Sequence, residues 1–375
     1  MKTRICGLVG VDFPLFAFTH HREVVAAVSK AGGFGVLGVV GFTPEELKVE
    51  LDWIDAHVEG KPYGIDMAIP ENMAVKTEQG LTSHALRARI PEEYWRFTND
   101  FLKRFDIDHT MSVPSDADQE IGFMPDTAER AMDVVFQHPV RLVVQALGRV
   151  PLSMIDRGRK HGVPIGALVG SAEHARRQVD IGVEVLVPQG YESGGHGAEL
   201  STMVLVPEVV RAVDPAKASV LAAGGIVTGR QMAAAMAMGA DGAWTGSVWL
   251  ATKESGLSPT AREKLVEARS RDTLKTRAGS GKMSRQTRSA WTEAWEAEGA
   301  LAPLPMPFQG QLTTYVMQRA ERSVAAGNVK ARQVLNQIVG QGVGMMDEVK
   351  TAGDVVREFM DDFQSTLERM RMLAI

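Results

Sequence analysis

The feature that most constrains this chain is a repeated alternation of short apolar runs with amphipathic stretches, spanning residues 13 to 250. Apolar runs at 13–18, 35–40, 63–69, 141–146, 164–169, 184–188, 219–222 and 241–245 read as buried strands. Helical patterns at 22–31, 126–136, 151–160, 171–181, 203–213 and 228–238 fall between them. Another helix begins at Thr43, with Pro44 at its first position and Glu46 three residues after the cap. Strands joined by helices lie parallel. Eight such units within about 240 residues predict an α/β chain folded as a (β/α)8 TIM barrel. A doubly wound open sheet is the competing topology.

The alternation breaks twice. Residues 70–125 are polar and mixed, with a helix expected at 91–104, and read as an insertion after the third strand. Beyond Ser255 the pattern turns to charged helices with few strand candidates. Pro303, Pro305 and Pro307 mark a stiff turn, and 354–371 reads as an amphipathic helix. The expected organisation is a barrel over 1–254 carrying the insertion. A helical cap over 255–375 follows, part of which returns to the barrel mouth.

Composition narrows the function. Of 375 residues, 41 are Lys or Arg and 46 Asp or Glu, a net charge of −5, so no nucleic-acid-binding domain is expected. The single cysteine, Cys6, excludes an internal disulfide, a CxxC redox pair and a cysteine-rich zinc site. No apolar run is long enough to span a membrane. Asp12 interrupts the first apolar stretch too early for a signal peptide, so a cytoplasmic location is expected. The 37 glycines exceed the usual ~7% share, which suits backbone lying against a ligand.

Gly33-Phe34-Gly35-Val36-Leu37-Gly38 fits the GxGxxG dinucleotide pattern, but a helix precedes it and a strand follows, the reverse of that motif. These glycines read instead as a helix stop and a close helix–sheet contact. The segment Gln189-Gly190-Tyr191-Glu192-Ser193-Gly194-Gly195-His196-Gly197 is the strongest local signal. It follows a strand and so belongs at the active face of a barrel. Its glycines admit a flat or anionic group, and His196 can take a substrate proton near neutral pH. Ala222-Ala223-Gly224-Gly225-Ile226 and Ala243-Trp244-Thr245-Gly246-Ser247 end strands seven and eight, where barrels bind phosphate.

Asp66 and Gln145 lie near strand ends, where they are expected to face the mouth. Neighbouring His20 and His21 do not share a helix face and read as structural, so no metal site is expected. His57-Val58-Glu59 lacks the PCxxC of zinc deaminases, and Gly281-Lys282 lacks the spacing of a phosphate loop. Gly340-Gln341-Gly342-Val343-Gly344 reads as a helix stop or as a lid segment. Met232, Met236 and Met238 have the spacing of core packing.

Taken together, 27–35, 62–66, 189–197, 222–226 and 239–247 resemble the nitronate monooxygenase (2-nitropropane dioxygenase) family over most of the chain. The resemblance implies an FMN-binding barrel with a smaller helical domain. It implies a flavin-dependent monooxygenase that oxidises nitronates or nitroalkanes with molecular oxygen. Carried over residue by residue, Gly224, Gly225, Gly246 and Ser247 would hold the FMN phosphate. Gln189, Gly194 and Gly195 would face the flavin, and His196 would be the base. Ala17 and Phe18 would supply backbone near the ring, and Gln341 and Gly342 would approach it. Asp66 stands where the family usually has an asparagine that hydrogen-bonds the cofactor.

That change and the long insertion keep open a second reading, an NAD(P)H-dependent FMN reductase of quinones or enoyl thioesters. A non-catalytic phospholigand-binding barrel is a third. The expected partners are a small-molecule substrate with oxygen or NAD(P)H. Two exposed cap helices are the candidate surface of a homodimer.

Overall fold

Eight parallel strands close on themselves in chain order. They are β1 (Leu15–Thr19), β2 (Phe34–Gly38), β3 (Tyr63–Met67), β4 (Val143–Gln145), β5 (Ile165–Val169), β6 (Val185–Pro188), β7 (Ser219–Ala223) and β8 (Gly242–Thr245). Ala17 of β1 pairs with Gly35 on one side and Thr245 on the other, which closes the ring. The computed structural model describes residues 3–69, 75, 78, 80–113 and 117–373. Parts of the expected insertion, at 70–74, 76–77, 79 and 114–116, lie outside the described residues.

Helices α2 (Arg22–Lys30), α3 (Pro44–His57), α6 (Pro125–Val135), α7 (Leu152–His161), α8 (Ala172–Asp180), α9 (Thr202–Ala212) and α10 (Gly229–Ala237) cover the outside of the barrel. The start of α3 is the expected capping box. Thr43 Oγ1 accepts from the Glu46 N–H at 3.2 Å, and Glu46 accepts from the Thr43 N–H at 2.9 Å.

Side-chain alternation sends Phe16, Phe34, Val36, Val144, Val185, Val187, Leu221 and Trp244 inward. A helix that periodicity did not reveal, α1 (Arg4–Val9), pushes Ile5, Cys6 and Val9 into the same interior and stops the bottom of the barrel. Six residues are too few for a readable period. With that end filled, the carboxyl ends of the strands are left to receive a ligand.

The GxGxxG glycines do the structural work expected of them. A Cβ on Gly35 would lie 2.5 Å from the Val25 carbonyl oxygen, so α2 can rest on β2 only without one. Gly35→Ala should therefore destabilise the fold by about 1–3 kcal/mol, because backbone rather than a flexible side chain must move. A urea unfolding curve with an unchanged slope and a lower midpoint would display it.

Beyond β8 and the short helices α11 (Ser247–Leu250) and α12 (Pro259–Glu267), the chain builds a second core together with the insertion, whose first helix is α4 (Ser83–Arg87). Helix α5 (Glu92–Arg104) of the insertion packs Phe101 and Leu102 against Trp291 and Trp295 of α13 (Ala290–Glu296) and Leu312 and Val316 of α14 (Phe308–Ala325). The Phe101 and Trp291 rings meet edge to face with centroids 5.1 Å apart. Insertion and cap thus share one apolar core. The last helix, α15 (Ala352–Leu373), returns to the barrel wall. There Val356, Phe359 and Phe363 pack among Phe13, Met232 and Trp249.

The cap also holds an antiparallel hairpin, β9 (Thr273–Thr276) with β10 (Ser284–Thr287), where few strands were expected. Every residue of β10 is buried although all four are polar, so no apolar run announces it. Among the described residues no helix is long and apolar enough to cross a membrane.

Candidate active site

The mouth is built from three glycine-bearing segments that converge from distant parts of the chain. The first is the loop after β6. The Gly190 N–H donates to the Ala223 carbonyl at 2.9 Å, the Ala198 N–H to Gln189 at 2.9 Å, and the Tyr191 N–H to Leu200 at 2.7 Å. The second is the pair after β7, where Gly224 and Gly225 take φ of 115° and 70°, values that strain any other residue. The third is the 3-10 turn Gln341–Met345, entered through Gly340.

These segments touch backbone to backbone. A Cβ on Gly194 would lie 2.9 Å from the Gly340 nitrogen, and one on Gly340 would lie 2.6 Å from the Glu192 oxygen. The Gln341 N–H donates to the Glu192 carbonyl at 2.8 Å, and the Gly340 N–H to Ser247 Oγ at 2.8 Å. The Glu192 carboxylate accepts from the Thr202 N–H at 2.9 Å and from its hydroxyl at 2.7 Å. Thr202 Oγ1 lies 3.0 Å from the Gly224 carbonyl and so sits between the two turns. Gly342 packs beside Gly225, where a Cβ would come within 3.0 Å of the Gly225 oxygen.

The hairpin fixes the far end of the first loop. Gly195 exchanges backbone hydrogen bonds with Arg285 at 3.0 and 2.8 Å and extends the β9–β10 sheet. Gly195 has φ of 71°, which permits that approach. The Arg285 guanidinium donates to the Tyr191 carbonyl at 3.1 Å and lies 4.7 Å from the Tyr191 ring centroid. Next in sequence, His196 is half-buried. Its Nδ1 is 3.0 Å from the Met283 carbonyl oxygen, which can only accept. Nδ1 therefore carries the proton, and Nε2 keeps its lone pair. Burial lowers the His196 pKa, and the Lys282 charge adds to this against the Met283 carbonyl. The neutral imidazole is the form present at neutral pH.

The opposite wall comes from β1 to β3. The Phe18 ring lies 6.3 Å from Trp244 in near-parallel stacking and reaches Gly246, where a Cβ would be 3.8 Å from it. Asp66 turns inward from β3 beside Gly38 and Val144, 3% exposed, and its Oδ2 has no hydrogen-bond partner.

Gln189, Gly194, Gly195, His196, Gly224, Gly225, Gly246, Ser247, Gln341 and Gly342 are thus brought together, with Phe18 and Asp66 across from them. Ala17 and Gln145 are placed differently. The Ala17 side chain packs outward with Val24 and Val28, so only its backbone borders the barrel. Gln145 faces the outer shell, where its amide accepts from the Ile69 N–H at 3.1 Å and donates to the Ile69 and Leu147 carbonyls at 2.7 and 2.8 Å. It fastens the ends of β3 and β4 and has no donor left for a ligand. Among the described residues no metal-binding cluster occurs.

Sequence reasoning missed His20. It does not begin α2, which His21 precedes as N-cap. It stands past the end of β1 at the mouth, open to solvent. Its Nδ1 is 2.8 Å from the Gly38 carbonyl, and its ring is 5.1 Å from Phe18. The crowding of protein around it lowers its pKa against the pull of Gly38. The signal was present, because Phe16, Phe18 and His20 continue the inward period of two.

The nitronate monooxygenase sequence profile matches residues 4–362. The chain belongs to the nitronate monooxygenase family. It is 42% identical over 374 residues to the Mycobacterium tuberculosis protein named "Putative monooxygenase Rv1533", covering 100% of this chain and 99% of that one. Among solved structures it is similar to a nitroalkane oxidase from Streptomyces ansochromogenes, with TM-score 0.77 and 24% identity over 98% of this chain and 100% of that one. It is also similar to FabK from Thermotoga maritima, with TM-score 0.71 and 25% identity over 100% and 99% of the two chains. The protein is a nitronate monooxygenase family enzyme, an oxidoreductase on a TIM barrel.

Proposed function

We propose that this family member binds FMN in the barrel mouth and oxidises nitronates and nitroalkanes with molecular oxygen. The observation that carries the reading is His196, whose Nδ1 is committed to Met283 and whose Nε2 is free as a base. The mouth fits FMN by two features of its own. The turn after β8 is open at Gly246, where an added Cβ would meet only the Phe18 ring at 3.8 Å, while the backbone at Gly194, Gly224, Gly225 and Gly340 is packed too closely by neighbouring segments to carry a side chain. Asp66 adds a buried polar atom without a partner.

In this reading Gly224, Gly225, Gly246 and Ser247 hold the phosphate with backbone N–H groups and a hydroxyl. Gln189 and the Gly194–Gly195 backbone border the ring, and Phe18 packs beside it. The turn at Gln341 and Gly342 closes over the same side. The flavin, when bound, accepts electrons from a carbanion-like substrate and passes them to oxygen. Nε2 of His196 takes the proton from the carbon bearing the nitro group, and the Met283 carbonyl steadies the resulting imidazolium through Nδ1. A substrate that arrives already as the nitronate anion does not need this step.

The competing reading is an NAD(P)H-dependent FMN reductase, favoured by the carboxyl at Asp66. Anaerobic mixing of the yellow protein with a nitronate, NADH and NADPH separately decides between them. Bleaching of the visible flavin band by nitronate alone is the expected result. Fast bleaching by a nicotinamide alone would replace it with the reductase reading. A colourless purified protein that fails to take up FMN would leave the phospholigand-binding barrel.

A further inference from the structure

Asp66 is a carboxyl group placed where a charge is hard to keep. It is 3% exposed, and Oδ2 has no hydrogen-bond partner. The neighbouring strands offer it no cation. Its β2 partner is Gly38, which has no side chain, and its β4 partner is Val144. From β1, His20 lies over Gly38, but its Nδ1 is already spent on the Gly38 carbonyl. No lysine or arginine among the described residues is paired with Asp66. An isolated buried carboxylate is expensive to keep ionised, and taking up a proton removes that cost. Burial accordingly pushes the Asp66 pKa well above the usual carboxylate range.

We propose that Asp66 serves the site as a neutral carboxylic acid, its inward, unpartnered carboxyl donating a hydrogen bond to an acceptor atom of the flat ligand in the mouth. The inference rests on the FMN reading and names the donor that one ring acceptor meets. An ionised carboxylate can only accept, and would repel the carbonyl oxygens and the unprotonated nitrogens of the ring edge. The acid supplies one donor where an amide would supply two. Unlike an amide, it titrates. Ligand binding therefore weakens as pH rises and Asp66 loses its proton. His20 and His196 also border the mouth, and both remain in a variant changed only at Asp66.

The test compares the full-length wild type with Asp66→Asn and Asp66→Leu. FMN is titrated into each apoprotein by flavin fluorescence quenching at about pH 5 to 9. Infrared difference spectra of the ligand-free wild type and Asp66→Asn report a protonated carboxyl directly. The expected result is an acid C=O band at neutral pH that Asp66→Asn lacks. Wild-type affinity should approach a tenfold loss per pH unit above the Asp66 pKa, relative to Asp66→Asn. Asp66→Leu should bind more weakly than Asp66→Asn at every pH. An absent acid band, or identical pH slopes in wild type and Asp66→Asn, overturns the proposal while FMN binding stands. Failure of the wild type to bind FMN at any pH overturns the FMN reading, and the named ligand with it.

Discussion

His196→Asn should lower turnover of neutral nitroalkanes by about 10²–10⁴-fold, the usual contribution of a positioned general base. Oxidation of the preformed nitronate should change far less, because that substrate has already lost its proton. Asparagine keeps a polar side chain against the Met283 carbonyl, so the loop after β6 remains in place. The base form of His196 exists above its pKa, which burial holds below the ordinary ~6.5. In wild type kept saturated with FMN, the limb of kcat/KM for a nitroalkane that belongs to His196 should therefore lie on the acid side, at a pH below that value. In His196→Asn this acid limb should vanish while any limb from His20 persists. Equal losses on nitroalkane and nitronate would remove the histidine from proton transfer and leave it a positioning role.

If FMN occupies the mouth as proposed, Gly340→Ala should weaken its binding. Its Cβ would lie 2.6 Å from the Glu192 oxygen and 3.0 Å from the Gly194 nitrogen, both backbone atoms of the loop that presents His196. Neither can swing aside as a side-chain end would. The 3-10 turn must lift, breaking the bonds from Gly340 to Ser247 and from Gln341 to Glu192. The strain expected is about 1–3 kcal/mol. Applied wholly to the bound state, that corresponds to roughly 5–150-fold weaker FMN binding by the factor of ten per 1.4 kcal/mol. Gel filtration should yield a folded, paler protein, and fluorescence titration should recover the flavin at higher concentration. Retention of wild-type colour and affinity would show that the turn does not border the cofactor.

The barrel was legible because each of its strands is an apolar run and each covering helix has a moist and a dry face. Those are the periods that sequence records. The glycine turns after β6, β7 and β8 were legible for a related reason, since backbone that must approach another backbone cannot tolerate a Cβ. The polar hairpin left no such trace. Ser284, Arg285, Gln286 and Thr287 are buried by their partners rather than by their own hydrophobicity, and Arg285 is held by the Tyr191 carbonyl and ring. Gln145 was misdirected for the opposite reason. Its strand was recognised, but its side of the strand depends on where a three-residue strand starts, and a one-residue shift exchanges mouth for outer shell. His20 was hidden by being weighed with His21 as a pair on a helix, although the helix begins at Arg22 and His20 continues the strand period. The shared core of α5, α13 and α14 joins segments almost two hundred residues apart, a distance over which local pattern carries no information.

The backbone partnership between Gly195 and Arg285 has a consequence for the order in which this protein becomes functional. A ribosome that has just released all eight barrel strands has not yet released Met283, Arg285 or Gly340. The histidine loop then has no edge to join, and the last helix has not covered Met232 and Trp249. A nascent chain of that length would be sticky and unable to hold its ligand. If the mouth binds FMN as proposed, capture must wait for the hairpin and the Gly340 turn that complete the loop after β6. A recombination point placed at the apparent boundary after β8 would divide the active site rather than spare it.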